Sequence, residues 1–98
     1  MGAKGRRKQA RLASKLHRIR TALKLSQGQL VKHLELDGEL QRGDISRYEL
    51  GLREPPLYVI LRYAKAAGVC TDILIDDELS LPRRLPSVPS HDFIKNKA

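Results

Sequence analysis

The chain has 98 residues, a formal net charge of +8 and an isoelectric point near 10.1. That length makes one small domain with tails, whose modest core leaves little room for an enzyme pocket, and that charge favours a polyanionic partner. One cysteine excludes a disulfide framework, and no apolar run reaches membrane-spanning length or forms the core of a secretion signal, so a cytoplasmic, nucleoid-associated protein of bacterial or phage type is expected.

The charge is unevenly placed. No acid precedes Glu35, whereas ten Lys or Arg lie between Lys4 and Lys32, and acids gather later at Asp72, Asp76, Asp77 and Glu78. An unopposed basic half reads as an electrostatic footprint for phosphate. His17, His33 and His91 share no ligand spacing with one another or with Cys70, so no metal is expected. No nucleophile–base pair and no phosphate-cradling glycine loop is present, so neither an enzyme nor a cofactor is expected. Cys70 reads as a small buried apolar residue.

Residues 1 to 8 form a basic, flexible arm. Leu12, Leu16, Ile19 and Leu23 recur at helical spacing and predict a first helix from roughly Gln9 to Lys24. Ser26 with Gln29 makes an N-terminal capping box, and Leu30, Val31 and Leu34 supply one apolar face to a second helix over about Gln27 to Leu34. Glu35 to Leu40 is a loop with Asp37-Gly38 as its turn signal. A third helix spans about Arg42 to Leu50, with Ile45, Tyr48 and Glu49 on one side and Gly43, Ser46 and Arg47 on the other. Gln41 is its candidate N-cap, Leu40 is placed to staple onto Ile45, and Gly51 stops it.

Pro55-Pro56 opens a fourth helix whose buried stripe is Leu57, Ile60, Leu61, Ala64 and Ala67, ended by Gly68. Thr71 caps a short fifth helix carrying Ile73, Leu74 and Ile75. From Leu79 onward Pro82, Pro86 and Pro89 forbid regular helix, which makes 79 to 98 an extended tail and 9 to 78 the folded unit. The fold class is therefore all-α, a compact bundle of five helices. Tyr48, Tyr58 and Tyr63 suit packing in or beside its core, and only Phe93 lies in the tail, so no aromatic-interleaved RNA surface is visible.

The second and third helices read together as a helix-turn-helix, a pair suited to placing one helix in a major groove. At Ile19-Arg20, Leu25-Ser26-Gln27, Leu30, Leu34, Ile45-Ser46-Arg47, Glu49, Gly51, Arg53-Glu54-Pro55, Leu57, Leu61, Ala64, Gly68-Val69 and Asp72, the chain resembles the lambda-repressor/Cro-like regulators, the XRE family. The resemblance implies a five-helix DNA-binding domain, no catalysis, binding to double-stranded operator DNA and often a homodimer. The chain departs from the pattern in a longer turn between Leu34 and Ile45, in Val31 where a small residue is usual, and in Glu35 at the place of the turn glycine.

The candidate DNA-contacting residues are Gln27, Gln41, Arg42, Gly43, Asp44, Ser46, Arg47 and Arg53. Arg47 points away from Ile45 and Tyr48 and suits a bidentate contact to guanine; Arg42 sits at the helix end that approaches bases. Asp44 reads as a first-turn dipole partner or an acceptor for cytosine, and Gly43 as a place of close backbone approach. Gln27 and Arg53 match family positions that meet DNA. The resemblance also implies that Arg20 and Glu49 pair across the first and third helices. Independently, Glu49 falls on the inward side of its helix, where an unpaired carboxylate would be costly. A second reading makes the chain a protein-interaction adaptor or antitoxin-type partner, using the region 72–85 as its surface. The apolar residues after Thr71 are the expected seam of a homodimer.

Overall fold

Apolar residues at three- and four-residue spacing place Leu12, Leu16 and Ile19 on one buried face of a first helix, and the rest of the molecule gathers round it. In the computed structural model, which describes residues 9–87, the elements are α1 (Leu12–Ala22), α2 (Gln27–His33), α3 (Arg42–Glu49), α4 (Leu57–Ala67) and α5 (Thr71–Ile75). The architecture is all-α, with no strand among the described residues. Helix α1 packs against α3, α4 and α5, α2 packs on α3, and α4 packs on α5. The basic arm, His91 and Phe93 lie outside the described residues. No described helix is long and apolar enough to cross a membrane.

The helix ends explain how a short chain turns so often. Four helices finish with a left-handed residue that lets the next backbone N–H groups return to the last carbonyls. Gly51 and Gly68 take this conformation after α3 and α4 at φ of 74° and 77°. Lys24 and Glu35 take it after α1 and α2 at φ of 61°, where a side chain crowds the backbone. Glu35 therefore does the work of the glycine that its place in the motif suggests. Behind it the N–H of Leu36 donates to the Val31 carbonyl at 3.1 Å, and both side chains are buried. The longer turn before α3 is not loose: Leu36 and Leu40 anchor it in the core, while Gly38 turns the chain at φ 132°.

The structure revises several sequence expectations. In α4 the buried residues are Val59, Ile60, Tyr63, Ala64 and Ala67, whereas Leu57 is 79% exposed and Leu61 44%. Two apolar stripes run along this helix and share Ile60, Ala64 and Ala67, so periodicity could not choose between them. Cys70, not Thr71, is the N-cap of α5, and it is exposed because it sits on the turn between α4 and α5.

The largest revision concerns the C-terminal segment. Among the described residues 79–87, Pro82 and Pro86 do exclude helix, but Leu81 and Leu85 are buried in the core. The Ser87 N–H donates to the Ala67 carbonyl at 3.2 Å. Residues 79–87 are thus a strap belonging to the folded unit, which does not end at 78. The apolar side chains expected to form a dimer seam or partner surface are mostly taken up here: Leu74 and Leu81 are buried, and Ile73 and Ile75 pack against the core.

Candidate nucleic-acid interface

Helix α2 starts as its capping box requires. Ser26 Oγ accepts the Gln29 N–H at 3.1 Å, and Gln29 Oε1 accepts the Ser26 N–H at 2.9 Å. The start of α3 is fixed from Asp44, whose Oδ2 accepts the Gln41 N–H at 2.9 Å. Leu40, just before the cap, and Ile45, in the first turns, are both buried, the arrangement of a hydrophobic staple. Together these contacts set two short helices against each other with α3 facing outward on one side.

Behind α3, Arg20 of α1 grips Glu49 with two parallel bonds, Nε to Oε2 at 2.7 Å and Nη2 to Oε1 at 3.0 Å. The Arg20 side chain is 17% exposed and that of Glu49 5%, so the pair is largely shielded from solvent screening. Arg20 also donates to the Leu25 carbonyl at 3.0 Å, and Gln27 Nε2 donates to Glu49 Oε1 at 3.3 Å. One carboxylate therefore ties together the ends of α1, α2 and α3. The hydrogen bond to Glu49, working against burial, raises the hold of Arg20 on its proton. Beneath the pair, burial and then the charge of Glu49 push the Tyr63 phenol well up. Its hydroxyl is buried with no hydrogen-bond partner among the described residues.

The outer face is different in kind. The Arg47 side chain is 56% exposed and that of Arg53 60%, and both lean on Asp44 Oδ1, at 3.5 and 3.3 Å. Such exposed pairs are worth little and can be exchanged for another anion. Asp44 thus caps α3 with one oxygen and positions two arginines with the other. Arg42 and Gln41 are exposed beside them, and Ser46 and Gly43 are half-buried on the same helix. A Cβ at Gly43 would meet only the flexible Arg47 guanidinium, at 3.5 Å, so packing within this fold does not require a glycine there. Gln27 is half-buried and lies with Ser46 along one groove. The eight candidate residues therefore fall on α2, on α3 with its N-cap Gln41, and on the segment just after α3.

No known protein-family model matches the chain, and no curated protein matches it.

The basic half of the sequence divides in a way that charge counting could not show. All four cations between residues 11 and 20 have partners inside the protein. Lys15, which is buried, donates from Nζ to the Ile73 and Asp76 carbonyls at 2.6 and 3.0 Å. Burial lowers its pKa from the usual lysine value. Arg18 Nη2 donates to the Pro82 and Arg83 carbonyls, each at 2.7 Å. Arg11 reaches the Asp77 carbonyl at 2.7 Å and the Ser80 hydroxyl at 2.8 Å. These three cations, spaced four and three apart, bind α5, the turn that follows it and the strap. Their spacing beside the stripe of Leu12, Leu16 and Ile19 was the available signal.

Proposed function

We propose that this protein is a sequence-specific DNA-binding transcriptional regulator, with α3 as the recognition helix in the major groove and α2 lying against the backbone. The observation that carries the reading is the sorting of charge around α3. Its inward acid, Glu49, is neutralised by Arg20, while the exposed Arg47 and Arg53 stand outward and share one exchangeable partner, Asp44, and Arg42 is exposed at the leading end. Gly43 supports the same reading: it weakens a helix whose packing does not need it, at a place where a duplex would approach the backbone. The resemblance to lambda-repressor/Cro-like regulators points the same way.

Self-association fits α4 better than the segment after Thr71, because Leu57, Tyr58 and Leu61 are the exposed apolar side chains there. The same face is what an adaptor or antitoxin-type protein would offer a protein partner.

Selection of duplexes from a random library, followed by fluorescence anisotropy at several salt concentrations, tests the proposal. An enriched sequence is expected, with log affinity falling against log salt at a slope of about −0.9 per phosphate neutralised. Arg47→Ala is expected to lose about tenfold or more on the selected duplex and far less on a scrambled one. Gly43→Ala is expected to raise the melting temperature yet weaken binding. Equal affinity for every duplex, or binding indifferent to salt, would overturn the reading.

A further inference from the structure

An open groove of about 370 Å³ lies between α1, α2 and α3, lined by His17, Arg20, Gln27, Ser46, Glu49 and Leu50. Gln27 and Ser46 belong to the candidate DNA-contacting set, but His17, exposed on α1, does not. We propose that His17 is a backbone-phosphate ligand of the DNA site, acting beside Gln27 and Ser46, and that it makes DNA affinity depend on pH. This rests on the DNA-binding reading above and adds α1 to its surface.

The charges of the groove carry the inference. Its other ionisable groups are Arg20, on the same helix as His17, and Glu49, on α3; they are bonded to each other at 2.7 Å and cancel. Gln27 and Ser46, facing from α2 and α3, are uncharged. The net charge of the groove is therefore set by His17. A neutral imidazole offers one N–H; a protonated one offers two and a full positive charge, which suits a phosphodiester oxygen. Imidazole is the side chain whose ordinary titration falls near neutral pH. His33 lines a separate recess with Glu35, Arg62 and Lys65, so the two histidines can be tested apart.

The experiment uses the full chain, one duplex from the selection and anisotropy at pH 6 and pH 8, at constant ionic strength in a phosphate-free buffer. The wild type is expected to bind about five- to tenfold tighter at pH 6 and to show a salt slope steeper by about 0.9 there. His17→Gln should bind alike at both pH values, and His17→Arg tightly at both, with melting temperatures unchanged because the side chain is exposed. A pH response that survives in His17→Gln, or its absence from a wild type that still binds, would overturn the proposal and leave the DNA-binding reading standing. Failure to bind any duplex at either pH would remove that reading and this one together.

Discussion

Helix α1 is joined to its neighbours in two ways. Toward α3 it uses one charge pair between side chains, Arg20 with Glu49. Toward α5 and the strap it uses Arg11, Lys15 and Arg18, whose acceptors are mostly backbone carbonyls. The difference lies in what is left behind when a contact is lost. Removing Glu49 strands a largely buried guanidinium, whereas removing Lys15 leaves two carbonyls short of a donor and also takes a desolvated charge out of the protein. The α3 attachment is therefore costly to break and holds one orientation of the outward face. The strap attachment spreads its strength over several weaker bonds and two buried leucines.

Four substitutions probe that contrast. Glu49→Ala is expected to cost about 4 kcal/mol in urea denaturation and to weaken DNA binding without any contact of its own to a base. A loss below about 1 kcal/mol would show that Arg20 reaches solvent and that the attachment is of the exposed kind. Leu85→Ala should cost about 3 kcal/mol by opening a cavity under the strap. Because the strap lies away from α3, duplex affinity should change little once the variant is folded, and parallel losses of stability and affinity would erase the contrast.

Lys15→Met keeps most of the buried stem and removes the charge, so about 1–2 kcal/mol is expected from the carbonyls of Ile73 and Asp76. A loss as large as that of Glu49→Ala would mean that the two attachments behave alike. Asp77→Asn is the smallest. The Asp77 carboxylate accepts the Ala10 and Arg11 N–H groups at 2.8 and 3.1 Å, and these bonds hold its pKa below the usual carboxylate value. Its contribution is therefore present above the ordinary carboxylate range and is lost as pH falls through the lowered value. Thermal melts should separate wild type from Asp77→Asn at neutral pH and converge in acid; a constant difference would assign the effect to shape rather than charge.

Much of this architecture was legible in the residues because its causes are local. Ser26 and Gln29 satisfy each other three positions apart, Gly51 and Gly68 relieve a left-handed turn, and Leu12, Leu16 and Ile19 repeat with the helix itself. Arg20 and Glu49 were legible at longer range because the resemblance implies their pairing and an inward carboxylate needs a cation. For Lys15, Arg18 and Arg11 only the spacing beside the buried stripe of α1 was legible; their acceptors were not, since every residue carries a carbonyl and no sequence pattern marks which ones will want a donor. Leu57 and Leu61 misled for a related reason: both apolar stripes of α4 satisfy the same periodicity.

By itself, then, the sequence determined five helices, the capping box of α2, the glycine ends of α3 and α4, and an α3 with one inward acid and outward arginines, because those properties depend on neighbours within about a turn of the chain. Tertiary structure alone decided which face of α4 is buried, that residues 79–87 close the core, and which cations remain for a partner. Those outcomes depend on where distant segments meet: the carbonyls at the end of α5 face α1, and Leu81 and Leu85 complete a core that the five helices leave open. Burial and backbone hydrogen bonding across more than fifty residues are properties of the packed chain, and they gave three of the ten Lys and Arg residues between Lys4 and Lys32 acceptors inside the protein.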